Sequence, residues 1–83
     1  MSEKISIKVG AFASLKPYLP GAGIGETKTL YIEEHTGIKE IMHLLKLPED
    51  EVQIIMRNHE LASPEDIVEA GDRIVFLPLI DGG

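Results

Sequence analysis

The sequence predicts an α+β protein, with one helix laid across one face of a mixed sheet of four to five strands. Three observations carry this. Two early stretches alternate apolar and polar residues at the period of a half-buried strand. One stretch alone places its apolar residues at helical spacing. Two later apolar runs are bounded by turn residues and read as further strands. The chain has 83 residues, which is one domain. A chain of that size buries only about 60% of its unfolded surface, so a single helix on a single sheet accounts for its core.

The elements follow in order. Lys4-Ile-Ser-Ile-Lys-Val9 puts Ile5, Ile7 and Val9 on one side and Ser6 and Lys8 on the other, a strand. Residues 11–19 hold a short helical turn, with Ser14 a candidate cap and Pro17 in the first turn, where a missing N–H costs little. Pro20-Gly-Ala-Gly-Ile-Gly25 is a loop. Lys28-Thr-Leu-Tyr-Ile-Glu33 alternates again, with Leu30 and Ile32 on one face, and a hairpin with the first strand is its simplest pairing. Thr36 is a candidate N-cap for a helix over residues 37–47, in which Ile38, Ile41, Met42 and Leu45 form one stripe. Pro48 disfavours helical geometry at Leu47 and ends the element.

Val52-Gln-Ile-Ile-Met56 is the third strand, and Arg57-Asn-His-Glu60 a turn in which Asn58 is suited to the left-handed region. Residues 61–69 are mixed, with Pro64-Glu-Asp66 opening a short helical turn or a small strand. Ala70-Gly-Asp72 is a tight turn into a last strand over residues 73–79. Strand, strand, helix, strand, minor element, strand is the order of a β-grasp, which sets the first and last strands side by side at the centre.

A one-helix, two-layer domain leaves the second sheet face bare. In the last strand Ile74 and Phe76 point one way, and Val75 and Leu77 the other. One set faces the helix. The other, with Leu79 and Ile80 beyond it, forms an apolar patch of the kind that marks a partner surface. Burying each such side chain is worth about 1.5–3 kcal/mol before the costs of association. The alternative is a central strand covered on both faces by the loop at residues 14–25.

Composition removes several function classes. The formal charge is −6, which argues against nucleic acid as the main partner. The charge is uneven: residues 1–48 carry a net +1 and residues 49–83 a net −7. The acidic half either steers a basic partner or maintains solubility. There are no cysteines, so no disulfide framework or thiolate metal site exists. No apolar run approaches the roughly 20 residues of a membrane span, and the first residues alternate instead of forming a signal-peptide core. A soluble cytoplasmic protein is the expectation. Gly21-Ala-Gly-Ile-Gly25 lacks the Gly-Lys-Ser/Thr of a phosphate loop and precedes a strand. His35, His43 and His59 lack metal-ligand spacing, and Glu33-Glu34 and Glu49-Asp-Glu51 read as solvated charge.

The stretch with the most chemical character is Asp81-Gly82-Gly83, read as a flexible tail over residues 80–83 of a single domain spanning 1–83. Glycines without side chains permit close approach to another surface, so such a tip threads a narrow slot and presents its carboxylate. Phe76-Leu-Pro-Leu-Ile-Asp-Gly-Gly83 resembles the Phe-x-Pro-Pro-Val-x-Gly-Gly ending of the MoaD/ThiS-type ubiquitin-like sulfur carriers, most closely the MoaD type, the small subunit of molybdopterin synthase. Ala70-Gly-Asp-Arg-Ile-Val resembles that family's turn into its last strand. Val9-Gly-Ala-Phe-Ala-Ser-Leu-Lys resembles its opening strand and continuation. Three positions depart from the pattern: Leu79 replaces the second Pro, Asp81 a small or hydroxyl residue, and His59 a Gly or Gln.

The resemblance implies a ubiquitin-like carrier. A ubiquitin-activating-type adenylating enzyme (MoeB-like) would activate the Gly83 carboxylate with ATP, and a sulfur donor would convert it to a thiocarboxylate. The tail would then enter a MoaE-like large subunit of molybdopterin synthase, where the sulfur goes to a pterin precursor for the molybdenum or tungsten cofactor. On this reading Gly83 carries the sulfur and Gly82 gives access. Phe76, Leu77, Pro78, Leu79, Ile80 and Asp81 dock on the partner. The chain itself holds no cofactor or metal and supplies no catalytic side chain. Thiamine thiazole, tRNA thiolation, cysteine synthesis and protein conjugation are alternative destinations. A plain β-grasp interaction module is the alternative from another class.

Overall fold

The alternation of Ile5, Ile7 and Val9 becomes strand β1, Lys4–Ala11, in a computed structural model that describes residues 3–19 and 27–78. Ile7 and Val9 are fully buried. β2, Lys28–Glu33, pairs antiparallel with β1 over its whole length, from Lys4 opposite Glu33 to Val9 opposite Lys28. β3 is Val52–Arg57, β4 the two residues Glu60–Leu61, and β5 Arg73–Pro78. The five strands lie in the order β2-β1-β5-β3-β4. β1 and β5 run parallel side by side, with Val9 opposite Ile74 and Ala11 opposite Phe76. β3 flanks β5 antiparallel, with a register shift between Val52 and Ile54. This is the mixed five-stranded, one-helix β-grasp that the sequence predicts.

Helix α1, Ile38–Leu44, covers one face of the sheet with the expected stripe; Ile38, Ile41 and Met42 are buried and Leu45 is half-buried. Its ends differ from the sequence reading, and each difference has a hydrogen-bonding cause. The N-cap is Gly37, without a side-chain cap. The Thr36 hydroxyl donates to the Glu33 carbonyl instead. The first helical amides are satisfied by backbone: Ile38 N–H donates to Asp66 O and Lys39 N–H to Pro64 O, both at 2.9 Å. At the other end the helix stops before Leu47. Lys46 adopts φ +59°, Leu47 N–H donates to Met42 O at 2.9 Å and Lys46 N–H to His43 O at 3.1 Å. That is a Schellman closure built on a lysine, with Leu47 and Met42 both buried beside it.

Residues 13–18 form a 3-10 helix, Ala13–Tyr18, whose capping position is Phe12; Ser14 lies inside it and caps nothing. The element starts there because the Phe12 carbonyl accepts from Leu15 N–H at 3.0 Å, while Phe12 N–H stays in the sheet, donating to Phe76 O. Leu15 and Leu19 drop into the core. A second 3-10 helix, Glu49–Glu51, leads into β3 and has no counterpart in the sequence reading. Asn58 takes the left-handed conformation expected of it, joined by His59 and, in the turn before β5, Gly71. The expected loop at residues 20–25 lies outside the described residues.

Candidate functional site

β5 is the second of the two central strands and the one whose sequence continues into the glycines. Its two faces have separate tasks. Ile74 and Phe76 are completely buried against α1 and β1, and Pro78 is buried as well. Val75 and Leu77 face the other way and remain half-buried. The docking run expected from the sequence is therefore divided. Phe76 and Pro78 turn inward, Leu77 lies on the open face, and Leu79, Ile80, Asp81, Gly82 and Gly83 lie outside the described residues.

Neighbouring strands complete the open face. Val75 is opposite Met56 on one side and Gly10 on the other, and Leu77 is opposite Ile54. Leu61 on β4 is opposite Met56. Phe12, Met56, His59, Arg73, Val75 and Leu77 line a shallow depression of about 230 Å³. Ile54 and Leu61 are exposed beside it. Gly10 on β1, opposite Val75, is buried. The sequence reading found Val75 and Leu77 but not Phe12, Ile54 and Met56. The signal was present. Ser6, Lys8, Gly10 and Phe12 continue the outward-facing positions of β1, and Ile54 and Met56 are two apart on β3.

At the end of β5, Pro78 pairs with Val52, directly after the acidic 3-10 helix. Asp50 and Glu51 share a surface depression with Ser14, Gln53 and Pro78. Two of the acids of residues 49–83 thus lie beside Pro78, the last residue of β5.

The opposite end of β5 is tied down by Asp72. This carboxylate is buried and accepts from Arg57 Nε at 2.8 Å, from Asn58 Nδ2 at 2.9 Å and from Glu69 N–H at 2.8 Å. Asn58 also bonds the backbone of Arg73, in both directions. Burial alone would raise the Asp72 pKa; the Glu69 amide, Asn58 and Arg57 together outweigh it and hold the carboxyl below its ordinary value. Among the described residues no group of three His, Cys, Asp or Glu is placed to hold a metal. His43 Nε2 pairs instead with Glu49 at 2.8 Å on the surface. No helix among the described residues is long and apolar enough to cross a membrane.

The family model described as Mut7-C ubiquitin matches residues 4–81. No curated protein matches the sequence. Among solved structures, the chain is similar to the HVO 2177 protein of Haloferax volcanii, at 11% identity and a TM-score of 0.72, covering 96% of this chain and 88% of that one. It is similar to SAMP1 of the same organism, a small archaeal modifier protein, at 18% identity and a TM-score of 0.69, covering 94% and 99%. A ubiquitin of Caldiarchaeum subterraneum aligns at 18% identity and a TM-score of 0.54, covering 96% and 99%. At these identities the likeness is one of fold.

Proposed function

This chain belongs to the Mut7-C ubiquitin family, and from that premise we propose that it is a sulfur carrier whose chemistry resides at Gly83. The carboxylate of Gly83 attacks the α-phosphorus of ATP on an adenylating partner and releases pyrophosphate. Sulfide then displaces AMP, leaving a thiocarboxylate. A free carboxylate is a poor acyl donor until it gains such a leaving group, and the step needs no side chain from the carrier. In a synthase partner the thiocarboxylate sulfur attacks an electrophilic carbon of the pterin precursor, forming a carbon–sulfur bond as a carbon–oxygen bond at that carbon breaks and the oxygen leaves. Water later cleaves the acyl–sulfur bond and returns the carboxylate. The small subunit of molybdopterin synthase is the form of this activity that the ending Phe76-Leu-Pro-Leu-Ile-Asp-Gly-Gly83 favours.

The observation that supports the reading best is β5. It is locked on one face by Ile74 and Phe76, open and apolar on the other at Val75 and Leu77, and followed in sequence, after Leu79, Ile80 and Asp81, by the glycine pair. A rigid strand of that kind holds Pro78, from which the sequence runs on to the tail, at a fixed position relative to a docking patch. Asp50 and Glu51 beside Pro78 suit a partner with a basic rim around its entry slot.

A second reading keeps the activation and changes the acceptor to an amine of another protein. The fold likeness to a small archaeal modifier protein favours it. The test is intact-mass analysis after incubation with the adenylating enzyme, ATP and sulfide. One oxygen exchanged for sulfur at Gly83 is the expected species, and its absence in a reaction that converts a known carrier refutes the proposal. Capture of a molybdopterin synthase large subunit, against ligation to protein amines, separates the two readings.

A further inference from the structure

The two edges of the sheet are built differently. β4 is only two residues long, and its neighbour β3 carries a register shift, both devices that blunt an edge. β2 is six residues long, without proline, and pairs with β1 in unbroken register. The direction of its backbone groups follows from three hydrogen bonds. Glu34 N–H donates to Glu3 O, Lys8 N–H donates to Asp72 O, and Ser6 O accepts from Gly71 N–H. The even residues of β2 therefore bond β1, and Thr29, Tyr31 and Glu33 direct their N–H and C=O groups away from the sheet. Of these, the Glu33 carbonyl accepts from Thr36; the N–H and C=O of Thr29 and Tyr31 have no partner among the described residues. Tyr31 is 73% exposed on this edge, and Leu44, 66% exposed, lines the groove beside it.

We propose that β2 is a self-pairing edge: two copies of this chain join β2 to β2 antiparallel, in a register centred on Tyr31, so that their sheets become continuous. This inference is independent of the carrier reading. The sequence of the strand is what selects a second copy as occupant. In this register the outward-directed residues meet one another, Tyr31 with Tyr31 and Thr29 with Glu33, as a ladder requires. The side chains match at every step. Tyr31 stacks beside its counterpart, Leu30 faces Ile32, and Lys28 faces Glu34 at both ends. A strand that begins with lysine and ends in glutamates is complementary to its own antiparallel copy.

Sedimentation equilibrium and light scattering of the whole protein give the test. The expected result is a concentration-dependent dimer in which the amides of Thr29, Tyr31 and Glu33 exchange more slowly as protein concentration rises. Lys28→Glu or Glu34→Lys alone places like charges at both ends and weakens the dimer by about tenfold. An equal mixture of the two variants restores it as a mixed dimer, because each glutamate again faces a lysine. A monomer at every concentration up to the millimolar range overturns the proposal. So does a dimer whose strength is unchanged in both variants, or variants that remain weak when mixed. Circular dichroism of each variant establishes that the fold is kept.

Discussion

Arg57 donates from Nε to Asp72 Oδ2 at 2.8 Å, and this pair fastens the turn after β3 to the turn before β5. Asp72 is the least exposed ionisable group on which this corner depends, with Asn58 and the Glu69 amide completing its shell. Replacing it with alanine leaves a half-buried guanidinium and a backbone amide unpaired. Hydrogen bonds to a charged group contribute about 1.5–3 kcal/mol each, with partial re-solvation of Arg57 offsetting some of the loss. Asp72→Ala is expected to cost about 2–3 kcal/mol and to lower the thermal midpoint by about 10–20 °C for a domain of this size. Chemical denaturation at neutral pH checks it.

The same carboxylate makes stability depend on pH. Its folded pKa lies below the ordinary value for an aspartate, so the folded state binds its proton less readily than the unfolded chain. The stabilisation it provides is complete above the unfolded pKa and is lost as pH falls through the folded pKa. Between pH 5 and 3 the wild type should lose stability more steeply than Asp72→Asn, which carries no proton to gain. Parallel slopes for the two proteins across that interval would show that another group controls acid unfolding.

Much of this architecture was legible in the sequence because it rests on periodicity. Ile5, Ile7 and Val9 on β1, and Ile38, Ile41 and Met42 on α1, declare their faces through spacing alone. Asn58 declares a left-handed turn, and Gly71 a tight one, through residue type. What escaped depended on contacts distant in sequence. Thr36 has the chemistry of a cap, but Pro64 and Asp66 bring carbonyls to the helix amides and leave its hydroxyl to Glu33. Lys46 ends α1 in a conformation that lysine does not advertise, and His59 shares the left-handed turn of Asn58 although glycine is the residue such a position favours. The open-face patch was half visible, because Val75 and Leu77 lie on one strand whereas Phe12, Ile54 and Met56 reach it through pairing.

Lys46 offers a direct test of the helix ending. A non-glycine residue at φ +59° sits in a region that costs about 1–2 kcal/mol. Glycine removes that strain and adds some chain entropy to the unfolded state. Lys46→Gly should therefore stabilise by about 0.5–1 kcal/mol, and Lys46→Val, branched at Cβ, should destabilise. Urea midpoints with unchanged slopes would register both effects.

Adjacent residues on β5 should separate folding from docking. Phe76 is fully buried, and its truncation to alanine should cost about 3–5 kcal/mol, a large part of the stability of so small a domain. Leu77 faces the open side, half-buried. Leu77→Lys should shift stability by only about 1 kcal/mol while abolishing retention of the adenylating enzyme or synthase partner. A melting curve and a pull-down on the same preparations measure the two effects. Full partner retention by Leu77→Lys would remove the open face as the docking surface.

Deleting Gly82 and Gly83 tests the carrier chemistry apart from the domain that bears it. The last residues of a domain contribute little to its core. The thermal midpoint of the shortened protein should therefore stay within about 2 °C of the wild type, the range of a surface change. Sulfur loading should disappear, because Asp81 would then supply the terminal carboxylate. Its side chain places bulk and a second negative charge where the active site must close around the backbone. Gly82→Ala is the graded version, keeping the Gly83 carboxylate and adding one methyl group on the approach. It should retain loading at a reduced rate, with the loss in the rate of adenylation and not in affinity for the partner, since the open face is untouched. Pyrophosphate release followed against carrier concentration distinguishes these. Normal partner function in the deletion variant would leave the glycine pair without a chemical role and favour a plain interaction module.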